Sequence, residues 1–209
     1  MPATTAPSKA FTPGTTGWAA SDLDDPRIEA KWMRGSYEIV DGVLTTMPPA
    51  YFAGGKALFN LMIAVREHQT RQGVEGDFSI EVDIVIDEER VAKADAVWMT
   101  PTEQKRQAQA SHRAGKPDPE RARILVPPSL IIESVSPGHE AHDRKTKRRW
   151  YAEFGVPHYW LLDGYARTLE CLSLERGRYR VDASGKQAQL IRPRMMSGLA
   201  IRLASVWGR

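Results

Sequence analysis

Residues 124–163 read ILVPPSLIIESVSPGHEAHDRKTKRRWYAEFGVPHYWLLD, and their order of apolar, basic and again apolar residues decides the fold. Residues 129–135 (SLIIESV) are rich in β-branched and large apolar side chains. They are led in by Pro127-Pro128 and stopped by Ser136-Pro137-Gly138, which predicts a short buried strand. Glu133 stands inside it. A carboxylate stripped of water is costly unless a cation or hydrogen-bond donors replace that water, so a positive group is expected nearby. If a helix begins near Asp143, an N-cap residue type, then Lys147, Trp150, Tyr151 and Phe154 fall at i, i+3, i+4 and i+7 on one face. Lys147 then lies on the apolar stripe, Arg148 at its edge, and Lys145 and Arg149 elsewhere. Gly155 and Pro157 stop the helix, and residues 158–163 (HYWLLD) give the next strand. A strand, helix and strand of this length suit a right-handed crossover between parallel neighbours.

Upstream, residues 93–99 (KADAVWM) set a second acid, Asp95, in an apolar strand. Residues 78–87 (FSIEVDIVID) alternate, with Phe78, Ile80, Val82, Ile84 and Ile86 on one face and Ser79, Glu81, Asp83 and Asp87 on the other. Leu58, Leu61, Met62 and Val65 recur at helical spacing within residues 54–72, and Gly73 supplies the stop. In residues 37–47 (YEIVDGVLTTM) the Asp41-Gly42 pair predicts a tight hairpin, ended by Pro48 and Pro49. Residues 18–33 carry a short helix with Ser21 or Asp22 as N-cap. Residues 1–17 (MPATTAPSKAFTPGTTG) have no periodicity and are expected as a disordered tail, leaving residues 18–209 as one domain. Residues 100–123 are polar and basic, with Gly115, Pro117 and Pro119 late in the segment, and read as a short helix and a flexible loop. Downstream, residues 167–174 and 178–181 form a hairpin across Glu175-Arg176-Gly177. Residues 190–207 hold one short strand and a terminal helix or strand.

The 209 residues, 42% hydrophobic, are enough for a real core. The single cysteine, Cys171, excludes an internal disulfide and fits a reducing compartment. No apolar run approaches the length that spans a bilayer, and the N-terminus lacks a signal-peptide pattern, so the chain is expected to be soluble and cytoplasmic. A net charge of +3 does not by itself announce a nucleic-acid binder. The basic residues do concentrate mid-chain, among them Lys105, Arg106, Arg121, Arg123, Arg144, Lys145, Arg148 and Arg149. They form either solvated faces or a phosphate-facing surface.

The constellation that carries chemistry is Asp95, Glu133 and Lys147. Two carboxylates on neighbouring strands can hold a hard divalent cation such as Mg²⁺, which keeps most of its water and leaves one free to attack. A lysine beside them can orient that water or neutralise charge developing on a phosphate. His139 and His142, at i and i+3, read as a polar loop and helix start. Cys171 reads as structural, Ser136 as a turn residue, and Trp150, Tyr151, Tyr159 and Trp160 as core.

The segments YEIVDG, VLTTMPP, KADAVWM, PPSLIIESVSPG, DRKTKRRWYAEFGVPHYWLLD and MMSGLAIRLASVW together resemble the Uma-type family of restriction endonucleases, a branch of the PD-(D/E)XK superfamily. The resemblance runs in order over residues 37–207. It implies an α/β fold with a restriction-endonuclease-like central mixed sheet, flanked by helices, and extra β-hairpins at the N- and C-terminal edges. It also implies a Mg²⁺-dependent (or Mn²⁺-dependent) endonuclease acting on DNA, with Asp95 as the first acid, Glu133 as the second and Lys147 as the lysine. The Ser134 carbonyl is implied as a further metal ligand, and a homodimer as the working form. Departures are Val135 where the superfamily lysine usually stands, Ala94 in place of proline, and Gly54-Gly55 where the family often has histidine. The first long helix offers no acid on its apolar face. A fourth acidic ligand is therefore expected from Glu81, with Glu38 as the other choice. The alternative reading is a nuclease-fold nucleic-acid-binding module that has lost catalysis.

Overall fold

The strand around Glu133 lies at the centre of the sheet. The structure, a computed structural model, describes residues 9–48, 51–116, 118 and 122–208. A 3-10 turn at Ala20–Asp24 is followed by α1 (Pro26–Trp32), β1 (Tyr37–Val40), β2 (Val43–Thr46), α2 (Phe52–Gln72), β3 (Asp77–Asp87), β4 (Arg90–Met99) and α3 (Pro101–Arg113). Then come β5 (Leu130–Ser134), a π-helical turn (His142–Lys147), α4 (Arg148–Phe154), β6 (His158–Asp163), β7 (Thr168–Glu175), β8 (Arg178–Lys186), β9 (Leu190–Ile191), β10 (Ile201–Arg202) and α5 (Leu203–Trp207). The main sheet runs β2-β1-β4-β5-β6-β7-β8, and β3 pairs with the other edge of β4. It is mixed: β5 and β6 run parallel, joined through α4, and the remaining pairs are antiparallel.

Side-chain alternation along β5 divides the core. Leu130 and Ile132 pack with Ala57, Leu61 and Val65 of α2, whereas Ile131 packs with Trp150 and Tyr151 of α4. The β3–β4 hairpin does not keep one phase. Phe78, Ala96 and Trp98 belong to the α2 side, while Val82, Ile84, Ala92 and Ala94 belong to the α4 side. The faces change over at Glu81 and Asp95. Glu81 sits there with φ 53°, a left-handed conformation that a strand rarely accepts. The strict alternation expected for residues 78–87 is thus broken at Glu81, and Ile80 is left exposed.

Several boundaries differ from the sequence expectation. Asp143 caps no helix; the chain turns helical at Glu140, and Asp143 lies within the π-turn, buried. α1 is capped by Asp25, whose carboxylate accepts from the Arg27 N–H, and not by Ser21 or Asp22. The short helix expected within residues 100–123 is α3, and Thr100 and Glu103 form a reciprocal capping box at its start. Residues 9–17 of the segment expected as a disordered tail lie along β1 and β2: Phe11 stacks edge-on against Trp18 and Tyr37, and the Gly14 N–H donates to the Leu44 carbonyl at 2.7 Å. Residues 1–8, Pro49, Pro117, Pro119 and Arg121 lie outside the described residues. No described helix is long and apolar enough to cross a membrane.

Candidate active site

Along one edge of β4, β1 pairs at Val91 and β5 pairs from Ala96 to Trp98, so residues 92–95 face a gap between two strands. Backbone groups in such a gap need partners, and side chains supply them. The Lys93 N–H donates to Glu38 Oε1 at 3.0 Å, and the Lys93 carbonyl accepts from Lys147 Nζ at 2.8 Å. Lys147 is the hub. Its ammonium lies 2.8 Å from Glu38 Oε1, 3.1 Å from Glu133 Oε1 and 3.9 Å from Asp143 Oδ1.

The surrounding bonds fix each group. Tyr151 donates its hydroxyl proton to Glu133 Oε1 at 2.7 Å, and the Ser134 N–H donates to Asp95 Oδ2 at 2.6 Å. His142 Nε2 lies 2.7 Å from Glu38 Oε2, and Tyr159 donates to the Asp143 carbonyl at 3.0 Å. The π-turn brings Asp143 and Lys147, four residues apart, into the same cluster; such widened turns recur at functional sites. Gly54, at the start of α2, passes directly against the Ser134 hydroxyl, which would have to turn away to admit a side chain there.

The cluster carries more negative than positive charge. Burial pushes Glu133 well above the usual carboxylate range, and Asp95 and Asp143 add to the rise while Lys147 and the Tyr151 hydroxyl oppose it. Asp95 is raised, chiefly by burial, and Asp143 is pushed by burial up to about 6. Glu38 behaves oppositely. Burial would raise it, but Lys147 and His142 hold it below the ordinary value. Burial would likewise lower Lys147, yet Glu133, Glu38, Asp143 and Asp95 hold it well above the usual lysine range, so it stays an ammonium.

This cluster forms the floor of a cavity of about 540 Å³ that Glu38, Glu81, Lys93, Asp95, Glu133, Ser134, Asp143 and Lys147 help to line. Asp95, Glu133, Lys147, Glu81 and Ser134, the residues singled out in the sequence, therefore share one cavity. Glu81 differs from the others: it is exposed and titrates upward through partial burial and the nearby Asp95. Sequence reasoning passed over Asp143, His142 and Tyr151 as cap, loop and core. An acid set among apolar strand residues, the signal that picked out Glu133, is present at Glu38 as well.

The groups available to a cation follow from the bonds already made. Those bonds engage Oδ2 of Asp95 and Oε1 of Glu133; Oδ1 and Oε2 make no hydrogen bond among the described residues. No three His, Cys, Asp or Glu side chains among the described residues form a ready metal cage. The oxygens of Asp95 and Glu133 that remain are hard donors, of the kind that Mg²⁺ and Ca²⁺ take.

The sequence profile of the family named Uma2 and described as "Putative restriction endonuclease" matches residues 30–204. No curated protein matches the chain. Among solved structures, the crystal structure of "a putative nuclease belonging to DUF820" from Anabaena variabilis is similar, with a TM-score of 0.60 at 13% identity, covering 83% of this chain and 90% of that one.

Proposed function

The chain belongs to the Uma2 family, and from that premise we propose that it is a divalent-metal-dependent DNA endonuclease working through Asp95, Glu133 and Lys147. One observation carries the reading. Two strand carboxylates each spend one oxygen on protein donors and keep the other for a ligand, beside an ammonium that cannot leave. Asp95 and Glu133, with the Ser134 carbonyl, would hold Mg²⁺ or Mn²⁺, which supplies an activated water and charge neutralisation on the phosphate. Tyr151 and Lys147 hold the Glu133 carboxylate in orientation, and Ser134 holds that of Asp95. Lys147, kept protonated by its acids, serves as a fixed positive charge for the scissile phosphate and not as a base. Glu81, standing opposite Asp95 at the strand irregularity, is the acid that would serve as a fourth ligand.

The test is calorimetric titration with Mg²⁺ or Mn²⁺, wild type against Glu133→Gln, with plasmid nicking on the same samples. Metal uptake and nicking by the wild type, both lost in a variant with unchanged circular dichroism, are the expected result. A wild type that binds DNA but neither takes up metal nor nicks would leave the catalytically silent binding module.

A further inference from the structure

The cavity has a second wall that the carboxylate chemistry does not use. Gly55, Leu58, Phe59 and Met62 fall at i, i+3, i+4 and i+7 on α2, and all four line the cavity together with Met47 and Ile80. Phe59 is 60% exposed and Ile80 57%. Large apolar side chains held open to water beside a reactive floor mark a binding surface.

The charges around this wall restrict what binds there. The lysines lining the cavity are both engaged, Lys93 with Asp83 at 2.9 Å and Lys147 with Glu38 and Glu133, and no described arginine lines it. Nucleic-acid phosphates are held by cations, and this wall carries none, so it meets some other part of a strand. The charged groups of the cavity are also deep, Glu133 being 2% and Lys147 4% exposed. A strand whose bases are paired and stacked keeps them away from such a floor, whereas an unpaired strand can place a base against an apolar wall and bring its phosphate to the cation that the acids would hold. A cavity of about 540 Å³ lies within the range of pockets that enclose a small ligand. The wall shares one cavity with the candidate site, which ties it to that site's ligand in place of a second copy of the chain.

We infer that the α2 wall, centred on Phe59, is a nucleobase subsite and that the site takes an unpaired strand. The inference rests on the nuclease reading for the identity of the phosphodiester. The base stacks on Phe59, beside Met62 and Ile80, while the adjoining phosphate would meet Lys147 and the cation that Asp95 and Glu133 would hold.

Binding, read separately from cleavage, tests this. Fluorescence anisotropy in Ca²⁺ compares a labelled 12-nucleotide oligodeoxyadenylate, an abasic strand of the same length and a blunt duplex. The base-bearing single strand is expected to bind roughly 10-fold tighter than the abasic one, as stacking on one aromatic ring supplies. Phe59→Ala should erase that difference and Phe59→Tyr should keep it; the exposure of Phe59 spares the fold in both. Equal affinity for the abasic strand or the duplex, or a Phe59→Ala loss common to all three ligands, would overturn the subsite. So would a Phe59→Ala variant that turns a dimer into a monomer on sedimentation while oligonucleotide binding is untouched. Nicking assays on the same samples report on the endonuclease reading alone. Absent cleavage with base-dependent binding retained removes the nuclease and leaves the subsite, and cleavage without base dependence does the reverse.

Discussion

Two charge clusters meet at Lys93 and differ in balance. Its backbone serves the candidate site, through bonds to Glu38 and Lys147. Its side chain serves another cluster, where Asp83 receives the Lys93 ammonium at 2.9 Å, the Trp32 indole N–H at 2.6 Å and the Arg123 guanidinium at 3.6 Å. In the Asp83 cluster two cations, Lys93 and Arg123, meet two acids, Asp83 and Glu29, the latter 4.0 Å from Arg123, and the group ties α1, β3 and β4 together; Asp83, Glu29 and Arg123 do not line the site cavity. In the site one ammonium answers four acids, Glu38, Asp95, Glu133 and Asp143, and a cavity opens on them. A balanced buried cluster needs nothing more. An unbalanced one must take up protons or a cation, and the cavity beside it leaves room for the cation of the proposed mechanism.

Removing the central cation should break the comparison most severely. Lys147→Met leaves the acids without their ammonium, and an unfolding loss of about 3–5 kcal/mol is expected at pH 7, the range for a buried pair deprived of one partner. Urea denaturation checks it, with partial recovery at pH 5 as the acids take up protons. A loss well below that range would mean that the acids are already protonated in the native protein.

The balanced cluster should respond in stability alone. Asp83→Asn strands two cations that are only partly shielded, so about 2–3 kcal/mol is expected, with metal uptake and nicking unchanged. If nicking fell in step with stability, the two clusters would act as one network through Lys93, and the contrast between them would fail.

How much of this was legible depended on local signals. Glu133 could be read because an acid interrupts LIIES, and Lys147 because helical phase turned it toward the apolar stripe; their side chains meet at 3.1 Å. The parallel β5–β6 pair followed from the helix and glycine stop between two apolar runs. The β3–β4 face change did not follow from pattern. FSIEVDIVID alternates without a break up to Val85, and nothing in its composition announces a left-handed glutamate, because that backbone state is imposed by the tertiary setting of Glu81. Asp143 was misread for a related reason: a π-turn and an N-cap look alike in sequence, and the difference of one helical turn moves the carboxylate from solvent into the site. Tyr151 was placed in the core correctly by phase, but its hydroxyl bond to Glu133 depends on a strand from elsewhere in the chain.

The smallest expected effect sharpens the contrast through pH. Burial raises Asp143 to about 6 in the folded protein, against an unfolded value near 4. An acid whose folded value is raised binds more protons when native, so its contribution to stability is full below about pH 4 and is lost as pH rises through about 6. The metal-free protein should therefore lose up to about 2 kcal/mol across that window, a figure reduced from the full shift because Glu133 and Glu38 titrate in the same field. Asp143→Asn should flatten this part of the curve of stability against pH, and saturating Mg²⁺ should flatten it in the wild type by offsetting the excess negative charge. Asp83→Asn should leave the slope in place. A slope that survives Asp143→Asn unchanged would assign the titration to another acid of the cluster, and one that Mg²⁺ fails to alter would mean that the cation does not bind against these carboxylates.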